Sequence, residues 1–101
     1  MAPTPRIRQS QEQSGKYFFS GQFAVTNGVQ SALSREEIQA IYFDVQQQVK
    51  AQDGIDYLMV YFHPETGQKL FFIDQLDRDM IASGEFKPEY NYCTLMLAEE
   101  Y

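Results

Sequence analysis

The stretch SREEIQAIYFDVQQQVKAQDG, residues 34–54, decides the fold because it predicts one long amphipathic helix. Ser34 is a favoured N-cap residue, and Glu37, three positions later, completes a capping box. Apolar side chains then recur at helical spacing, at Ile38, Ile41, Tyr42, Val45 and Val49. Gly54 is suited to the position just after a helix C-terminus. The pattern predicts a helix over residues 35–52 with a single apolar stripe that must pack against another layer.

A hairpin follows the helix. Residues 56–63 and 68–74 are rich in aromatic and aliphatic side chains, and the PETG turn at residues 64–67 separates them. Such turn residues between two apolar runs predict antiparallel strands. Both strands are apolar on both faces, whereas one helix covers only one face of a small sheet. We therefore expect the other face to be exposed, or to be covered by a loop or by a second copy.

Further strands are predicted on either side of these elements. Residues 17–19 and 22–26 favour strands before the helix, and Asn27 with Gly28 indicates a break after them. Residues 75–89 form a long acidic connection with a short helical turn, and residues 90–98 alternate as a last strand. The prediction is an α+β fold of order β(β)–α–β–β–β. One main helix packs on a small, mostly antiparallel sheet of three to five strands.

The predicted domain spans residues 17–101. Residues 1–16 contain Pro, Gln, Ser and Arg, and Ile7 is the single large aliphatic side chain after Met1. A segment with so little apolar surface does not offset its ordering entropy, so we expect a disordered tail over residues 1–16.

Charge and composition favour some function classes over others. The net charge is −6, and the acids are concentrated after residue 16. Such a body repels phosphate backbones, so we expect no direct nucleic-acid binding. Met1 is followed by Ala2 and Pro3 rather than by an apolar run, which predicts neither a signal peptide nor a membrane span. With Cys93 as the lone cysteine, these features favour a cytoplasmic protein.

No residue pattern indicates a catalytic centre, a metal site or a cofactor. The chain has no P-loop, no glycine-rich dinucleotide fingerprint and no nucleophile elbow. His63 is the single histidine, and its place before Pro64 favours a turn-flanking role. Cys93 falls in an apolar strand and is interpreted as a buried structural thiol. The spacing of Asp74, Asp77 and Asp79 does not match a calcium-binding loop, which favours a solvated acidic segment.

Interaction residues are instead sought among exposed aromatic and acidic side chains. The candidates are Tyr57, Tyr61, Phe71, Asp74, Asp77, Asp79 and Glu85. Aromatic side chains on strands are also ordinary core and cross-strand pairs.

Three segments resemble a known family in order and rough spacing over residues 22–101. They are FAVTNGV at 23–29, LFFID at 70–74 with Asp77, and TLMLAEEY at 94–101. Together they are similar to the bacterial family named domain of unknown function 3768, which often occurs on plasmids and other mobile elements. The family usually carries an acidic, histidine-containing stretch before the hairpin, whereas residues 52–56 here are QDGID. The resemblance implies no activity.

Three hypotheses for function follow. The first is a non-enzymatic protein-interaction or regulatory module, with self-association through the hairpin as one version. The second is a mobile-element inhibitor that mimics nucleic acid with acidic side chains from residues 74–89. The third is a small metal-dependent enzyme that uses Asp56, Asp74 and Asp77.

Overall fold

A computed structural model describes residues 6–101 of the chain. The strands are β1 Ile7–Arg8, β2 Gln22–Val25, β3 Leu58–Phe62, β4 Lys69–Asp74 and β5 Tyr92–Leu97. The α-helices are α1 Asn27–Ala32, α2 Arg35–Gln52 and α3 Arg78–Ser83. Two single-turn 3₁₀ helices, Pro88–Tyr90 and Ala98–Glu100, flank β5.

The strands form one mixed sheet in the order β1-β3-β4-β5-β2. All neighbours are antiparallel except β2 and β5, which run parallel. A parallel pair needs a long crossover connection, and here the chain passes from β2 through α1, α2, the hairpin and α3 before it returns beside β2 as β5. The α+β class, the main helix and the mostly antiparallel sheet are confirmed.

Helix α2 forms where its capping signals predicted it. The Ser34 hydroxyl accepts the Glu37 N–H at 3.2 Å, and the Glu37 carboxylate accepts the Ser34 N–H at 3.0 Å. The helix ends as Asp53 enters the left-handed region at φ 54°, followed by Gly54 at φ 114°. Its stripe faces the sheet, where Ile41 and Val45 are buried.

The core lies between the helices and one face of the sheet. The largest fully buried side chains include Phe19, Tyr61 and Phe72. The rings of Phe19 and Phe72 meet edge to face at 4.9 Å between centroids, a favoured aromatic geometry. Val29 of α1 and Leu33 after it belong to the same cluster, so α1 packs on the same side of the sheet as α2.

Residues 6–16, predicted from composition as part of a disordered tail, have defined partners in the structure. Ile7–Arg8 pairs with β3, and the Gln9 N–H donates to the Val60 carbonyl at 2.8 Å. The Arg6 guanidinium pairs with the Glu37 carboxylate at 2.5 Å. These polar partners come from distant parts of the chain, so the composition of the segment alone does not reveal them. The rest of the predicted tail, residues 1–5, lies outside the described residues.

Two local predictions before the main helix are also corrected. Residues 17–19 form no strand; only Tyr17 makes an isolated antiparallel bridge, to Ile55. The predicted break at Asn27 and Gly28 is instead the start of α1, because the Thr26 hydroxyl accepts the Val29 N–H and caps the helix.

Within residues 6–101, each helix is too short or too polar to cross a bilayer.

Candidate protein-interaction surface

The register of the sheet separates its side chains into two faces. Met59 pairs with Phe72 and Phe72 with Leu95, and these side chains are buried beneath the helices. Val60 pairs with Phe71 and Phe71 with Met96. Because successive residues of a strand point to opposite sides, this second row lies on the face away from the helices.

This second face, here called the outer face, is largely apolar. Its uncharged members are Ile7, Gln22, Ala24, Leu58, Val60, Phe62, Phe71, Ile73, Tyr92, Thr94 and Met96. Ile73 is buried, the others are partly buried, and the exposed members lie on the edge strand β1 or at the starts of β2 and β5: Ile7, Gln22 and Tyr92. No outer-face residue belongs to the core cluster formed by the described residues.

Neither α1 nor α2, the helices that bury residues within 6–101, covers the outer face. Helices α1 and α2 pack on the opposite side, and α3 and both 3₁₀ helices contain no buried residue. Two segments outside the sheet contact it. The Tyr101 ring meets Phe71 at 5.6 Å between centroids. Residues 9–13 pass beside Leu58 and Val60, where they enclose a cavity of about 120 Å³. Val60, Phe71 and Met96 stay partly exposed beside these contacts.

The outer face is electrically unlike the rest of the chain. Lys69 is the single charged side chain among its strand positions in the described sheet. The whole chain, in contrast, carries a net charge of −6. A face almost free of charge can approach another apolar surface without desolvating carboxylates, which is the costly step in burying charged groups.

The three aromatic candidates occupy different environments. Phe71 lies at the centre of the outer face, on the central strand. Tyr57 is 39% exposed, with its ring 6.1 Å from that of Tyr17. Tyr61 is buried under the helices, and its hydroxyl donates to the Asp44 carboxylate at 2.7 Å. Burial, followed by that carboxylate, raises the pKa of Tyr61. Tyr61 is therefore a core residue and does not reach a partner.

The four acidic candidates do not form a free row of carboxylates. Asp74 is buried and accepts the N–H groups of Phe19 at 2.8 Å and Gln75 at 3.0 Å. Asp77 caps α3 by accepting the Met80 N–H at 2.8 Å.

The other two acids lie further along the same connection. Asp79 pairs with Lys16 at 2.9 Å, and this hydrogen bond is the main cause that lowers the pKa of its carboxyl. Glu85 is exposed after α3. Asp74, Asp77 and Asp79 therefore all have hydrogen-bond or ion-pair partners within the protein, and Asp79 and Glu85 are exposed.

The carboxylates of the enzyme hypothesis lie around one tyrosine. Burial raises the pKa of Tyr17, and Asp77, Asp74 and Asp56 raise it further. Asp56 is buried and accepts the Gln13 amide at 3.2 Å. All three carboxylates thus serve internal hydrogen bonds. Among residues 6–101, no three His, Cys, Asp or Glu side chains are grouped so as to hold a metal ion.

Cys93 and His63 have structural environments. Cys93 is buried on β5, and burial, followed by the nearby Asp74 carboxylate, raises the pKa of its thiol to about 12. The His63 Nδ1 accepts the N–H groups of Glu65 at 3.1 Å and Thr66 at 3.3 Å. The imidazole therefore stabilises the hairpin turn, as its position before Pro64 predicted.

The sequence predictions missed most of the outer face. Val60 and Met96 were not singled out, although both alternate with buried residues along their strands. The signal was present as strands that are apolar on both sides. Alternation alone did not show which side the helices cover.

Comparisons with known proteins found no matching family, no similar curated protein and no similar solved structure. The resemblance to the domain of unknown function 3768 family therefore stays a prediction.

Proposed function

We propose that this chain is a non-enzymatic protein-interaction module that associates with a second copy of itself through the outer face. The observation that carries the proposal is the partly exposed row of Val60, Phe71 and Met96 across the three central strands, which neither α1 nor α2 covers. Apolar surface removed from water contributes about 25 cal/mol per Å², so an open apolar sheet face favours association.

A second copy is the occupant that suits the shape of this face. Two identical sheets have the same twist, and twisted sheets stack face to face at about −30° with aligned strands. A twofold dimer uses the same patch on both subunits. Lys69 is the lone charge among the outer-face strand positions described, so the acidic surface stays outside the contact.

The size of the face sets the expected strength. Strands about 4.8 Å apart, with about five residues of ~3.3 Å each, give the face roughly 400 Å². Two copies would bury roughly 800 Å² of sheet surface, below the ~1,200–2,000 Å² of stable interfaces. We therefore expect a reversible, concentration-dependent dimer. A reducing compartment such as the cytoplasm suits this proposal, because the Cys93 thiol is free and buried and the dimer needs no disulfide.

Sedimentation velocity over a concentration series tests the proposal, with wild type compared with Val60→Lys. The wild type is expected to move from monomer towards dimer as concentration rises, whereas the variant stays monomeric. Phe43→Lys is the matched control, because Phe43 is an apolar side chain 64% exposed on α2 and the charge change is the same. It should dimerise like wild type.

Thermal unfolding of each variant checks that the fold is retained. If Val60→Lys unfolds, Val60→Thr is measured instead. Threonine keeps the shape and β-propensity of valine while adding a hydroxyl. A wild type that remains monomeric at every concentration, or a Val60→Lys variant that dimerises as wild type does, overturns the proposal.

A further inference from the structure

Strand β2 forms the edge of the sheet furthest from β1. The Gln22 N–H donates to the Asn91 carbonyl at 3.0 Å, and the Thr26 N–H donates to the Leu95 carbonyl at 3.1 Å. Both bonds point towards β5. Because backbone groups alternate in direction along a strand, those of Phe23 and Val25 point to the free side.

These outward groups are largely unpaired. The Val25 carbonyl accepts the Gln30 side-chain amide at 3.2 Å. Within residues 6–101, the Phe23 N–H, the Phe23 carbonyl and the Val25 N–H have no hydrogen-bond partner in the protein. An open edge of this kind is a template for pairing with another extended chain.

An apolar groove of about 460 Å³ runs beside this edge. Phe23 and Val25 line it from β2, Leu33 from the link between the helices, and Ile38 from the first turns of α2. These four side chains belong to the core cluster or pack against it, so packing fixes the positions of the side chains that line the groove. A strand added to β2 would place alternate side chains on this side of the sheet.

One cation stands at the groove. Arg35 lines it and is exposed, and no acidic side chain of residues 6–101 lies within ion-pair distance of it. The unpaired guanidinium provides a local site for an anionic group, because Arg binds carboxylates with two parallel hydrogen bonds.

We infer that the β2 edge binds an extended peptide segment by strand addition. The peptide backbone pairs with Phe23 and Val25, an aliphatic side chain enters the groove, and a carboxylate binds Arg35. Strand addition supplies affinity through the main chain and selectivity through such pockets. This inference does not depend on the proposed function, since the groove lies on the helix side of the sheet and the outer face on the other.

Fluorescence anisotropy with two labelled, N-acetylated peptides of one-letter sequence ETVTVTVE and KTVTVTVK tests the inference. The acidic peptide is expected to bind saturably and more tightly than the basic one. Arg35→Glu should weaken it by about two- to fivefold, the scale of one exposed charge pair. Lys50→Glu, an equal charge change at the other end of α2, should leave binding unchanged.

Val25→Pro tests the backbone pairing, because it removes an outward N–H while sparing the bonds to β5. Binding of the acidic peptide should be lost. If Val25→Pro does not fold, Arg35→Glu still decides the question, because its side chain is exposed. The inference is overturned by the absence of saturable binding, or by equal effects of Arg35→Glu and Lys50→Glu. It is also overturned if Val25→Pro lowers the oligomeric state while neither peptide binds, because a second copy then occupies the edge.

Discussion

Asp74 shows how the fold changes the chemistry of a single residue. Its carboxyl is buried beside β5, with two backbone N–H groups as its partners. Burial outweighs these hydrogen bonds and raises the pKa of Asp74 from 3.8 to about 6. The folded protein therefore holds the Asp74 proton more tightly than the unfolded chain does.

This pKa predicts a pH dependence of stability. Below about pH 4 the Asp74 proton is bound in both states, and between about pH 4 and pH 6 only the folded state retains it. The stabilisation from the protonated form is therefore lost as pH rises through 6. By linkage, Asp74 should lower the free energy of unfolding by up to about 3 kcal/mol from pH 4 to pH 7.

Urea unfolding of wild type and Asp74→Asn at pH 4.5 and pH 7.5 checks this prediction. The amide keeps one acceptor oxygen but does not ionise. The free energy of unfolding of Asp74→Asn minus that of wild type should therefore be more positive at pH 7.5 than at pH 4.5. Other titrating groups are common to both proteins and cancel in the comparison. A stability difference that is the same at both pH values would contradict the assigned cause.

At the scale of elements, predictability follows the range of the interactions. Helix α2 could be predicted because its signals are local: Ser34 and Glu37 lie three residues apart at one end, and Gly54 directly follows the other end. The hairpin could be predicted from its turn. Strand β1 could not, since its partners are far along the chain: Arg8 pairs with Asp44 at 2.8 Å, and Ile7 lies opposite Phe62. The composition of residues 6–9 does not identify such distant partners.

Hydrogen exchange tests whether β1 is an ordered element. The Gln9 N–H donates to Val60 at 2.8 Å, whereas the Ser14 N–H makes no hydrogen bond among the described residues. By amide exchange in NMR, Gln9 should therefore be protected and Ser14 should exchange freely. Gln9 protection is expected to fall below that of central β4, because edge elements open locally. If both amides exchange at the same unprotected rate, the disordered tail predicted from composition is correct after all.

At the scale of the whole molecule, the architecture is one-sided. All helices that bury residues lie on one face of the sheet, while the other face keeps Val60, Phe71 and Met96 partly exposed. The sequence predicted that an apolar face would remain. It did not identify which one, because Leu58, Val60 and Phe62 alternate with Met59 and Tyr61, and both sets are apolar. Tyr61 is among the predicted interaction residues, but the helices bury it.

The contact between two outer faces can be observed directly. In a millimolar sample that mixes ¹³C-labelled and unlabelled chains, isotope-filtered NOE spectroscopy detects only protons that approach across copies. The account predicts intermolecular NOEs from the methyl groups of Val60 and Met96 to the ring of Phe71 in the second copy. Intermolecular NOEs confined to another surface, such as the β2 edge or the exposed side of α2, or none at this concentration, would contradict it.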